Sequence, residues 1–145
     1  MTIHEILAAF KTKRILVIGD VMIDAYMLGK VHRISPEAPV PIISLGKEEQ
    51  RLGGAANVAL NLQSLGANPI ICSVVGSDQK GNDLIDLLTG LNMSANGILK
   101  SSERVTTVKT RVIGNNQHLL RIDAEDAAEG DVRHVEVASR VECQG

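Results

Sequence analysis

Two carboxylates, Asp20 and Asp24, follow the branched apolar run Ile15-Leu16-Val17-Ile18, and a glycine pair, Gly53-Gly54, stands just ahead of Asn57. These residue types suit a polyhydroxyl ligand. Carboxylates accept hydrogen bonds from hydroxyls, and an amide both accepts and donates. Glycines let a ligand approach the backbone, and a helix start offers unpaired N–H groups. Each feature also has a plain structural counterpart: Gly-Gly makes a tight turn, Asp20 caps the turn that follows it, and Asp24 is solvated. In combination they put polar groups at the carboxyl end of a buried strand, the rim where α/β proteins bind ligands.

The elements that must position them follow from hydrophobic spacing. Ile3, Ile6, Leu7 and Phe10 predict a short amphipathic helix laid against the body. Ile15 to Ile18 reads as a parallel strand buried on both faces. From Tyr26 to Arg51, Gly29, Pro36, Pro39, Pro41 and Gly46 punctuate short extended pieces, which predicts an excursion forming a small exposed sheet or flap. Such a sheet needs cover from a ligand or a partner subunit. Helical spacing returns through Val58, Leu62 and Leu65 and stops at Gly66. Pro69 to Val75 is a second buried-type strand, and Asp83 to Leu91 a further helix carrying Leu84, Leu87, Leu88 and Leu91. Strand and helix alternate, as in an α/β architecture with a mostly parallel sheet flanked by helices. Val105 to Ile113 and His118 to Asp123 read as a β-hairpin around Gly114-Asn115-Asn116-Gln117. Lys109 and Arg111 share a face of its first arm, and on the second arm Leu120 and Ile122 oppose Arg121 and Asp123. The stretch from Ala124 to Gly130 is acidic and loop-like, and Val132 to Val141 fits helix and strand equally badly.

Bulk properties exclude several classes. The 145 residues amount to about one domain, and 44% hydrophobic residues are enough for a core. A net charge of −2 with scattered Lys and Arg gives no footprint for nucleic acid or an anionic membrane surface. One Phe, one Tyr and no Trp leave nothing on which bases could stack. No apolar run reaches the length of a membrane span or has the form of a signal peptide. Cys72 and Cys143 lack metal or disulfide spacing, so a cytoplasmic protein is expected. His4, His32, His118 and His134 are too dispersed for a local metal motif.

The residues also resemble a known family, the PfkB/ribokinase sugar kinases. The resemblance is carried by Val17-Ile18-Gly19-Asp20 with Asp24, and by Gly53-Gly54-Ala55-Ala56-Asn57-Val58-Ala59. Within that family, the run from Arg33 to Pro41 (RISPEAPVP) looks like the lid of the D-glycero-β-D-manno-heptose 7-phosphate kinases. Those enzymes are the kinase part of bifunctional proteins that make ADP-heptose for the lipopolysaccharide core. Thr107, Lys109 and Arg111, with Arg121-Ile122-Asp123, look like their second flap. The resemblance spans Arg14 to about Asp126. It implies a ribokinase-like fold with a small β lid, and ATP- and Mg2+-dependent transfer to the anomeric hydroxyl of the sugar phosphate. It implies sugar-binding roles for Asp20, Asp24, Gly53, Gly54 and Asn57, phosphate binding by Lys109 or Arg111, and a homodimer through the lid. On this basis 1–126 is the N-terminal substrate-binding part, with lid segments at about 25–51 and 105–123, and 127–145 is a tail of uncertain structure.

Phosphoryl transfer further needs a phosphate-cradling glycine loop, groups that place magnesium and a base aimed at the accepting hydroxyl. The family supplies these through a Gly-Ala-Gly-Asp tetrad in its second half, which does not occur here, and Asp123 and Asp126 are not drafted as the base. Gly-x-Gly-x-x-Gly and the Walker A pattern are absent too. The expectation is therefore a sugar-binding half: no catalytic or cofactor-binding residue in this chain, no metal ligand, no ATP or Mg2+ bound by it alone, and no activity in isolation. Two alternatives stay open, another PfkB-type sugar or nucleoside kinase and a non-catalytic sugar-binding or dimerising module.

Overall fold

A computed structural model describes residues 2–125. The expectations for 127–145, and those naming Asp126, His134 and Cys143, lie outside the described residues.

Thr2 opens helix α1 (Ile3–Phe10) with a reciprocal capping box to Glu5. The helix forms where its apolar spacing places it, yet none of its residues is buried, which corrects the expectation that it is laid against the body. The turn after it is tied to the sheet instead: Asn68 N–H donates to the Lys13 carbonyl at 2.9 Å and the Asn68 amide to that of Lys11 at 3.0 Å.

Strand β1 (Arg14–Ile18) pairs in parallel with β4 (Asn68–Gly76), and β4 with β5 (Ile98–Ser101), in the order β1-β4-β5. Only β4 reads as fully buried along most of its length. On β1, Val17 packs against the core while Leu16 and Ile18 are 41% and 49% exposed. Burial on both faces, predicted from the apolar run, is therefore corrected: no element among the described residues covers the side to which Leu16 and Ile18 point. The short strand β5 has too few residues to show a period, and the sequence gives no sign of it.

The Pro- and Gly-punctuated excursion is not a set of short pieces but two strands of 14 residues each, β2 (Val21–Ile34) and β3 (Pro41–Gly54). They pair antiparallel, and Arg33 to Pro41 closes the ribbon: Ser35 N–H donates to the Val40 carbonyl at 2.8 Å. The prolines fall at the turn and at the first residue of β3, positions that need no ladder donor. β2 also pairs in parallel with β6 (Val108–Gly114), which pairs antiparallel with β7 (Gln117–Ala124), giving a mixed sheet β3-β2-β6-β7. Asn115 and Asn116 both take positive φ, the two-residue turn geometry that matches strand twist, so the hairpin forms where predicted. The Asn115 amide exchanges two 3.2 Å hydrogen bonds with the backbone of Val31, fastening the turn to β2.

Helix α2 (Ala55–Ser64) buries Ala56 and Ala59, not the predicted series, and Val58 stands 51% exposed. Small residues let the helix lie close to the strands. Helix α3 (Gln79–Gly90) buries Leu84 and Leu88 and starts four residues earlier than predicted, because Asp78 caps it. The core gathers Val21, Ile23, Leu52, Ile71, Val75, Leu84, Leu88 and Val108 from both sheets and α3.

Asp78 fastens three segments together. Its carboxylate accepts from Gly81 N–H at 2.7 Å, from Thr106 N–H at 2.8 Å and from the Thr106 hydroxyl at 2.7 Å, and that hydroxyl accepts from Gly76 N–H at 2.9 Å. Burial pushes the carboxyl pKa up, but the bonds from Thr106 and Gly81 outweigh it and hold the group below its ordinary value of 3.8. A depressed folded pKa contributes stability that is complete above the unfolded value and is lost as the pH falls through the folded one. Asp78→Asn is expected to cost about 2 kcal/mol, read as a lower urea midpoint at neutral pH. Its further loss below about pH 4 should be smaller than that of the parent chain.

Candidate functional site

Register fixes which side chains share a face of the mixed sheet, because residues directly opposite one another point the same way. Asp24 stands opposite Arg51 on β3 and Lys109 on β6, and Lys109 opposite Asp123 on β7. One step along, Tyr26 stands opposite Glu49 and Arg111, and Arg111 opposite Arg121. Two adjacent rows of polar side chains thus cross four strands on one face. The opposite face carries Ile23, Leu52 and Val108 into the core.

Within these rows the charges are paired. Asp24 accepts from the Arg111 guanidinium in a short, half-buried contact between residues 87 apart in sequence. That hydrogen bond raises the Arg111 pKa further, so the group stays charged at any working pH. Lys109 Nζ lies 3.3 Å from Glu125 and 3.6 Å from Asp123. Glu49 accepts from Arg51 at 2.6 Å and pairs with Lys47; Lys47 first, then Arg51, holds its carboxyl below the ordinary range. The Arg51 and Arg111 guanidiniums lie 4.8 and 5.4 Å from the centroid of the Tyr26 ring, within cation–π range.

A cleft of about 880 Å³ opens between β2 and β3 on one side and α2 and α3 on the other. Asp24, Tyr26 and Arg51 line it from the strands, Asn57 from α2, and Asp83 and Asp86 from α3. The structure therefore brings Asp24 and Asn57, predicted separately, to one cavity. The other predicted site residues, Asp20, Gly53, Gly54, Lys109 and Arg111, do not line it. Arg111 is held behind Asp24, and Lys109 is turned to its own carboxylates.

The glycine pair is explained by packing. A Cβ on Gly53 would meet the Asp24 carboxylate and the Met22 side chain at 2.8 Å, so the missing side chain is the space that Asp24 uses. Gly54 has φ +57 and ψ −135, and a Cβ there would lie 2.3 Å from the Asp20 carbonyl. That carbonyl accepts from Ala55 N–H at 2.8 Å, joining the end of β1 to the start of α2. Chain atoms, with no ligand, already account for both glycines.

Asp20 stands apart from the cleft, exposed at the carboxyl end of β1, with Arg104 Nη1 at 3.7 Å from its carboxylate. Sequence reasoning missed Tyr26, Arg51 and Arg104. The first two were within reach by counting twos back from Gly53 and on from Asp24 once the pairing of β2 with β3 was known. Arg104 sits in a loop with no period to betray it. Among the described residues no cluster of three His, Cys, Asp or Glu could hold a metal ion, and no helix is long and apolar enough to cross a membrane.

The model for pfkB family carbohydrate kinases matches residues 12–144. The chain is 48% identical over 123 residues to the bifunctional protein HldE of Helicobacter pylori strain P12, covering 83% of this chain and 27% of that protein. It is 47% identical over 116 residues to HldE of Geotalea uraniireducens, covering 80% and 24%. The chain thus spans about a quarter of the length of these relatives. Among solved structures, a sugar kinase from Pyrococcus horikoshii in complex with ATP superposes with TM-score 0.58 at 23% identity, covering 86% of this chain and 39% of that one. A nucleoside kinase from Methanocaldococcus jannaschii, a ribokinase family member, superposes with TM-score 0.56 at 22% identity, covering 79% and 37%. The α/β fold is therefore ribokinase-like, as expected.

Proposed function

Because the chain belongs to the pfkB family of carbohydrate kinases, we propose that it is the sugar-holding part of an ATP-dependent kinase acting on D-glycero-β-D-manno-heptose 7-phosphate at the anomeric hydroxyl. The observation that carries this reading is the convergence of Asp24 and Asn57 on one cleft floored by the lid strands. The lid run from Arg33 to Pro41, closing the β2–β3 ribbon, supports the heptose assignment, as does the 48% identity to HldE.

In this role Asp24 accepts a hydrogen bond from a sugar hydroxyl and Asn57 both donates and accepts, which together fix the orientation of the ring. Asp20 serves a hydroxyl at the rim. Gly53 and Gly54 act indirectly, by allowing Asp24 and the Asp20 backbone to sit where they do. Lys109 and Arg111 keep the lid face charged and ordered.

In this reading ATP and Mg2+ belong to the whole enzyme. The two helices that follow strands of the site have their N-termini engaged by the chain itself: α3 by the Asp78 carboxylate, and the first N–H of α2 by the Asp20 carbonyl. The N-terminus of α3 is therefore taken, whereas α2 has no side-chain cap and only its first N–H is engaged. What this chain supplies is recognition and orientation of the acceptor, which in such enzymes contributes through proximity.

A homodimer through the lid completes the proposal. Every residue of β7 is exposed, and Leu120 and Ile122 lie on one apolar face with Val112 opposite Leu120. A second copy would cover that edge.

With ATP, Mg2+ and heptose 7-phosphate, the 145-residue chain is expected to bind the sugar phosphate in calorimetry and to release no ADP in a coupled assay. Sustained ADP release would overturn the sugar-half reading, and preference for an unphosphorylated pentose would overturn the heptose assignment.

A further inference from the structure

Among the described residues, the one buried side-chain nitrogen or oxygen without a hydrogen-bond partner belongs to Arg104. Its side chain is only 15% exposed, its Nε is buried without a hydrogen-bond partner, and its ion pair with Asp20 spans 3.7 Å, beyond hydrogen-bond length. A guanidinium carries five donors, and burying one this poorly paired is costly unless something else supplies counter-charge. The loop that carries it is held firmly. Thr106, two residues on, is bonded to Asp78 through both its N–H and its hydroxyl, and Thr106 also accepts from Gly76 at the end of β4. The Arg104 carbonyl lies 2.8 Å from where a Cβ on Gly76 would sit. The backbone that carries the cation is thus held at the carboxyl end of the parallel strand β4, with the guanidinium beside the Asp20 carboxylate assigned above to a sugar hydroxyl.

The cations on the lid face are differently placed. Arg111 is neutralised by Asp24, Lys109 by Asp123 and Glu125, and Arg51 by Glu49. Each has a partner within 3.3 Å or closer in this structure. We propose that Arg104 is the anchor for the phosphoryl group of the sugar phosphate: the dianion docks on the guanidinium while Asp20, beside it, takes a hydroxyl of the same sugar. A charged donor on a fixed loop, whose one internal salt bridge is long, suits a phosphate oxygen, which forms shorter charge-assisted bonds. This rests on the sugar-site reading given above, and assigns its specificity for a phosphorylated over an unphosphorylated sugar to Arg104.

The test compares the parent chain with Arg104→Met, which keeps an apolar stem of similar length, and with Arg104→Lys. Each is titrated calorimetrically with heptose 7-phosphate, unphosphorylated heptose, inorganic phosphate and ATP, and its thermal midpoint is measured without ligand. The expected result is a fall of about tenfold to a hundredfold in the preference for phosphorylated over unphosphorylated heptose in Arg104→Met, with partial retention in Arg104→Lys. The unliganded midpoint should be unchanged or raised, because an underpaired buried charge has been removed. An unchanged preference with a lowered midpoint would make Arg104 a structural partner of Asp20 and overturn the proposal alone. Loss of ATP binding with the sugar preference intact would assign the phosphoryl group to the nucleotide and also overturn it. Failure of the parent chain to bind either sugar would remove the sugar-site reading and the proposal together.

Discussion

Gly54→Ala is expected to leave little folded protein. The backbone at this position has φ +57 and ψ −135, a region that L side chains scarcely enter, and the added Cβ would lie 2.3 Å from the Asp20 carbonyl oxygen. Neither neighbour can give way cheaply. The Asp20 carbonyl is bonded to Ala55 N–H, and Val21, the next residue, is paired with Gly54 and buried in the core. The combined backbone strain and overpacking should cost about 3 kcal/mol or more, a large share of a small domain's stability. Gly90→Ala is the matched control. A Cβ at Gly90 meets nothing within 4 Å, and the position closes α3. There the change should be neutral or stabilising by up to about 1 kcal/mol, since alanine favours helix and restricts the unfolded chain. Urea midpoints of the two variants and the parent decide the matter: equal midpoints for Gly54→Ala and Gly90→Ala would contradict the packing described here.

Asp24→Asn should produce the largest loss of ligand binding. In the proposed role the carboxylate has two tasks, as an acceptor in the cleft that it lines and as the counter-charge of Arg111. The amide keeps the shape and one acceptor but removes the charge. Affinity for heptose 7-phosphate is expected to fall by about tenfold to a hundredfold. The unliganded chain should lose about 1–3 kcal/mol, because the half-buried guanidinium is left without its partner. These two effects separate in a double-mutant cycle with Arg111→Met. If Asp24 acts on the ligand directly, affinity stays low in the double variant while much of the stability returns. Should affinity recover together with stability, the Asp24 carboxylate would serve only to hold Arg111.

Much of the scaffold was legible in the amino-acid order because its signals are local. The branched runs marked β1 and β4, the Asn-Asn turn marked the β6–β7 hairpin, and leucine spacing marked α3. What sequence could not supply was set at a distance. Whether Leu16 and Ile18 are covered depends on what packs against β1, and apolar character alone does not reveal that. The buried face of α2 is made by alanines, whose small size draws little attention beside Val58 and Leu65. For the site, residue types at Asp24 and Asn57 carried a real signal, but the face that Tyr26 and Arg51 share with Lys109 and Arg111 appears only when register across three strands is known. Arg104 was invisible for a related reason: its significance lies in the partners it lacks, a property of the folded chain.

The parallel pairing of β2 with β6 also bears on the order in which this chain acquires its properties. Ile23 meets Val108, and Asp24 meets Arg111, across more than half of the 145 residues. Contacts of such sequence separation pay their loop-closure entropy before returning any stabilisation, and topologies rich in them fold slowly. The β2–β3 ribbon and the β6–β7 hairpin are each local enough to form early, but neither carries the complete polar face. The complete polar face therefore exists only once the two ribbons have joined, and the interval before that is the period in which their unpaired edges are most open to wrong partners.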